Sequence, residues 1–122
     1  MSANFIKMAV VYFIIGVGLG LYMGAVEQFE LGHAHAHINL LGWVSLALSG
    51  LIYKAYPALS HGKLSLVHFW GLILGTPFLT AGMALIGLER FEIGVPIAMI
   101  GGLAVLVGVL AFVINVFKHV SD

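Results

Sequence analysis

Apolar residues dominate the chain in four long runs separated by short polar links. The runs cover about Phe5–Val26, His33–Ala55, Leu64–Leu88 and Ile93–Phe117. Each is long enough to cross ~30 Å of hydrocarbon at a rise of ~1.5 Å per residue. The links run from Glu27 to Gly32, from Tyr56 to Lys63 and from Glu89 to Glu92. Connections this short force neighbouring helices to run antiparallel. The pattern predicts an all-α, integral membrane four-helix bundle that fills residues 1–122 as a single membrane domain, with no sequence repeat.

Composition strengthens this picture. Of 122 residues, 61% are hydrophobic and 8% charged, against about 25% charged in a typical soluble domain. Basic and acidic residues number five each, so no excess charge draws the chain to nucleic acid or to an acidic partner. Cysteine is absent, which excludes disulfides, thiolate metal sites and c-type haem attachment. The first run is too long for the apolar region of a signal peptide and lacks an A-x-A cleavage pattern, so it is expected to be a retained span. Lys7, Lys54, Lys63 and Lys118 fall on one side of the spans, and Glu27, Glu30, Glu89, Arg90 and Glu92 on the other. By the positive-inside rule the lysine side is cytoplasmic. The expected location is the bacterial inner (cytoplasmic) membrane, multi-pass, with both termini cytoplasmic.

Small residues mark candidate packing faces. Gly16, Gly20 and Gly24 form a ridge on the first helix; Gly42, Ser45 and Ser49 lie along the second, and Gly71 with Gly75 along the third. Such ridges let membrane helices approach closely, either within the chain or against a second copy. Pro77 is expected to kink the third helix by removing one hydrogen bond.

The candidate chemistry sits at the head of the second run, where His33, His35 and His37 alternate with small residues. Histidine near hydrocarbon is costly unless it has a partner. On a helix His33 and His37 stack on one face, while His35 lies about 200° around the axis. His33 and His37 can together hold a metal ion, imidazole being suited to copper and zinc. Each histidine can instead give one axial bond to a flat cofactor whose other bond comes from another helix. A third reading leaves the rings simply wet at the bilayer surface. Gly32, Ala34 and Ala36 leave space for a large planar group. Asn39 and Trp43 lie within a turn or two of His37 and can hydrogen-bond a ligand, although Trp43 also suits an interfacial anchor. His61 and His119 fall in the links and are expected to be solvated.

The segment "HAHINLLGWVSLALSGLIYKAYP" resembles the tenth transmembrane helix of the heme-copper oxidase catalytic subunit, in its C-type branch. That helix carries H-x-H, three residues, then L-G-W, with a glycine, a tyrosine and a proline beyond. Here those positions are His35, His37, Leu41, Gly42, Trp43, Gly50, Tyr53 and Pro57. The next run is similar to the family's eleventh helix, with His68, Phe69, Trp70 and Gly75 at the matching positions. The match spans about Gly32 to Leu88, and the outer two runs match only in being apolar. Carried over, the resemblance implies that His35 corresponds to the proximal ligand of the high-spin haem and His37 to an axial ligand of the low-spin haem. His33 has no counterpart. The family's H-F-W histidine is not a haem ligand, so His68 is expected to be structural.

The same resemblance marks what the chain lacks. The three histidines that hold copper in that family, and the tyrosine cross-linked to one of them, have no counterparts here, so dioxygen reduction is not implied. No phosphate loop, nucleophile elbow or dinucleotide fingerprint is present either. The family's twelve helices resemble three arcs of four, with metal ligands on the second member of each arc. This chain resembles one such arc, and a homotrimer would rebuild the ring. The expected function is a membrane haem b protein serving electron transfer or diatomic gas binding. His37, His35, Asn39 and Trp43 would surround the cofactor, with His37, His35 and His33 as candidate metal ligands. The alternatives are a copper- or zinc-binding membrane protein and a non-catalytic structural or assembly partner of a respiratory complex. Membrane lipid, further copies of the chain and a respiratory-chain partner are the expected associates.

Overall fold

Inside a bilayer every backbone N–H and C=O must find a partner within the protein, and a helix achieves this within one segment. The computed structural model describes residues 1–121, and the four apolar runs form four helices. They are α1 (Ser2–Val26), α2 (Phe29–Ala55), α3 (Lys63–Gly87) and α4 (Phe91–His119). Each is long and apolar enough to cross a membrane, which makes this an all-α, multi-pass membrane protein. The largest difference from the sequence-based bounds is at α2, which opens early with a 3-10 turn over Phe29–Leu31.

The turns explain the antiparallel order. α1 stops at Glu27, whose left-handed backbone (φ 55°) turns the following Gln28 N–H back to the Met23 carbonyl at 3.1 Å, as helix C-caps commonly do. Glu89, at φ 61°, reverses the chain in the same way between α3 and α4. Gly87 meets the Glu30 carbonyl so closely that a β-carbon would not fit, so these two turns lie together. At the other end the Asn115 amide donates to the Leu59 carbonyl at 2.9 Å, tying α4 to the Pro57–Ser60 turn.

Glycines set the distances between helices. A β-carbon on Gly71 would lie 2.7 Å from the Gly108 α-carbon, and one on Gly75 2.8 Å from the Val105 nitrogen. Gly82 and Gly101 are likewise filled by the backbones of Ala98 and Leu79. On α4 the contacting glycines are Gly94, Gly101 and Gly108, a seven-residue repeat that keeps one small face against α3. The α1 ridge behaves differently. Gly16 makes room for the Asn39 side chain and Gly20 for the His35 ring, while nothing lies within 4 Å of a β-carbon at Gly24.

α2 corrects the expectation of one continuous α-helix. It is α-helical over Gly32–His37, π-helical over Ile38–Ser45, and α-helical again over Leu46–Ala55. Runs of π-helix are rare and cluster at functional sites. The Ser45 hydroxyl fits the wider register by donating at 2.8 Å to the Leu40 carbonyl, five residues back. Gly42, within this segment, accepts the Tyr12 ring against its α-carbon.

Much apolar surface faces outward. Ile14 is 72% and Leu21 73% exposed, so α1 presents these side chains to lipid or to another copy of the chain.

Candidate functional site

The short α-helical segment Gly32–His37 sends His35 to a different flank from His33 and His37, as the helical period requires. His35 points at α1. Its Nδ1 lies 2.9 Å from the Gly16 carbonyl oxygen, and its Cε1 would be 2.8 Å from a β-carbon at Gly20. His37 lies on the outer flank beside exposed Ala36 and Leu40. Its Nδ1 is 2.9 Å from the His33 carbonyl oxygen, one turn back.

These two contacts fix the tautomers. A carbonyl oxygen only accepts, so each Nδ1 must carry a proton and donate it. The basic lone pair of both rings is therefore on Nε2. A histidine that ligates a metal typically gives its other ring N–H to a carbonyl in this way, which sets ring orientation and raises ligand basicity. The donor set at His37 thus fits an axial imidazole, with Ala36 leaving its flank open. His35 has the same tautomer, but its half-buried ring fills the α1–α2 interface and serves as a tie between the two helices.

Asn39 belongs to His35, not to His37. Its Nδ2 donates to the His35 carbonyl at 3.0 Å. The same nitrogen also comes within 3.5 Å of His35 Nδ1; both are donors there, so this is proximity and not a bond. The i, i+4 spacing places Asn39 over His35, whereas His37 lies on another flank. Trp43 lies near the middle of α2 and stacks on Phe13 of α1, with ring centroids 4.6 Å apart. His33 is exposed, and its backbone rather than its ring serves His37. Among the described residues no three histidine or carboxylate side chains converge on one point, so a metal at His37 would take its remaining ligands from outside this turn.

The remaining histidines sit at the far end. His61 and His119 are exposed, and His119 Nδ1 donates to the Asn115 carbonyl at 3.0 Å. His68 is buried, 3.1 Å from the Tyr53 hydroxyl and stacked on Phe112. The Tyr53–His68–Asn115 cluster was not anticipated as a unit from the sequence. The signal that marks it is the presence of a histidine and an asparagine inside apolar runs, where unpaired polar groups are costly.

No known protein family matches the chain, nor does any curated protein or solved structure.

Proposed function

We propose that this chain is a haem b-binding membrane protein in which His37 supplies an axial imidazole near the outer, periplasmic side. The role is electron transfer or binding of a diatomic gas. The observation that carries this reading is the 2.9 Å hydrogen bond from His37 Nδ1–H to the His33 carbonyl. It holds the ring in one tautomer with Nε2 free on an open flank. The resemblance of His35 and His37 to the oxidase H-x-H pair supports the same assignment. When bound, haem would supply one-electron chemistry or an open site for a gas, tuned by ligand identity and burial. The chain's own part is to orient the imidazole and to keep water away with apolar side chains such as Leu40.

One α2 offers His37 on one flank only, so a second imidazole to hold the haem would have to come from another copy. We assign a homotrimer, the arrangement that repeats this four-helix arc three times, oriented with both termini on the lysine side in the cytoplasm. Protein purified after expression with ample haem is expected to give a Soret band that shifts on reduction. A colourless protein ends this reading. Mass measurement in detergent, corrected for bound detergent, is expected to give three chains; one or two chains reject the trimer.

A second reading is favoured by a specific contact. His35 packed on Gly20 and bonded to Gly16 is what a purely structural histidine looks like, and it suits a chain that serves as an assembly partner. Unchanged cofactor content after replacing all three histidines by alanine would support that reading.

A further inference from the structure

At the lysine end, the buried Asn115 amide is oriented by the Leu59 carbonyl, 2.9 Å from Nδ2. The same Nδ2 lies 3.5 Å from the Tyr53 hydroxyl oxygen. With a donor facing its oxygen, Tyr53 turns its own proton to His68 Nδ1, 3.1 Å away. Nδ1 is then the acceptor, and the ring proton of His68 is on Nε2.

His68 is 2% exposed and held between Phe112 and Phe5, with centroids 4.4 and 5.1 Å from its own. Its Nε2 has no partner among the described residues, yet it is not among the sealed polar atoms, which there are Thr76 Oγ1 and Asn115 Oδ1. The ring borders a cavity of about 240 Å³ between α2, α3 and α4, with Ser45 and Ser49 on one wall and Leu72 on another. Leu48 and Val109 also line it, and both are exposed on the outer surface of the bundle. The cavity therefore opens on the apolar outer surface of the bundle, within the spans.

The polar groups of this cavity select its occupant. The Ser45 and Ser49 hydroxyls already donate, at 2.8 and 2.7 Å, to the Leu40 and Ser45 carbonyls. They offer the cavity only acceptor lone pairs, so Nε2–H is the single free donor. No charged side chain lines the space, which disfavours an ionic headgroup. A saturated lipid chain would leave Nε2–H unpaired in a low-dielectric site, at a cost. We propose that the cavity binds a small, neutral, lipid-soluble carbonyl compound, such as a quinone ring, whose oxygen accepts from His68 Nε2. This inference stands apart from the haem reading and does not need it.

The probe is decylubiquinone, titrated by calorimetry into the purified full chain in detergent. Saturable binding at one per chain is expected. Ser45→Phe, which fills the cavity, abolishes it, and His68→Leu weakens it about tenfold, the worth of one hydrogen bond. Both variants are checked for native size and helicity, and Ser45→Phe carries the test alone if His68→Leu does not fold. Three results overturn the proposal: no saturable binding, equal binding by folded Ser45→Phe, or equal displacement by decylbenzene, which has the same tail and no carbonyl. The last would identify the cavity as a groove for lipid chains.

Discussion

The Tyr12 hydroxyl on α1 donates at 2.7 Å to the Ile73 carbonyl on α3. Ile73 lies four residues before Pro77, which has no N–H to return to it. Tyr12 thus replaces the hydrogen bond that the proline withholds, and it reaches α3 across Gly42, whose missing side chain leaves room for the ring. An unpaired carbonyl in hydrocarbon is costly, so α1, α2 and α3 are coupled through this one acceptor.

Tyr12→Phe should therefore destabilise the protein by about 1 kcal/mol. In a Pro77→Ala background the alanine N–H can satisfy Ile73, and the same Tyr12→Phe change should cost close to nothing. Equilibrium unfolding in mixed detergent measures the four corners of this cycle. An equal loss in both backgrounds would show that the hydroxyl does not answer to Pro77.

The glycine seam between α3 and α4 makes a sharper contrast. At Gly101 a β-carbon meets the backbone at Leu79, whereas at Gly18 it meets nothing within 4 Å. Gly101→Val should abolish the folded bundle, because backbone cannot step aside as a flexible side chain can. Gly18→Ala should be neutral or stabilising by up to about 1 kcal/mol through helix propensity. Thermal unfolding followed by circular dichroism distinguishes the two, and comparable losses would contradict the seam.

His35 and His37 should separate by the property each controls. His35→Ala removes the tie to Gly16 and leaves a hole against Gly20, so it should cost about 1–2 kcal/mol of stability. His37→Ala, on the open flank, should leave stability within about 0.5 kcal/mol of the parent. Denaturation midpoints of the cofactor-free protein measure both. The reverse order would overturn the assignment of His35 as the interhelical tie.

The four spans were legible because apolar length alone specifies a membrane helix, and the links at Glu27 and Glu89 were short enough to fix antiparallel order. The faces were less legible. α4 is apolar all round, so no amphipathic stripe marks its contact side, although the spacing of Gly94, Gly101 and Gly108 carries that information. The π segment at Ile38–Ser45 left no compositional trace, since a widened helix uses the same apolar residues as a regular one. The helical period predicted that His35 would lie nearly opposite His33 and His37. The i, i+4 spacing of His35 and Asn39 was open to reading as well, but only the packing of Gly16 against Asn39 shows that this flank faces α1. Tyr12 gave no sign of its partner either, as Ile73 lies on a different span and is defined only by the proline that follows it.

The haem content of His37→Ala against the parent tests the central claim most directly, with both purified after identical expression in ample haem and assayed as the pyridine haemochrome. Haem in the parent and its near-complete loss in a folded, equally stable variant are the predicted result. A parent without haem, or a variant that retains the parent's full complement, would contradict the assignment of His37 as an axial ligand.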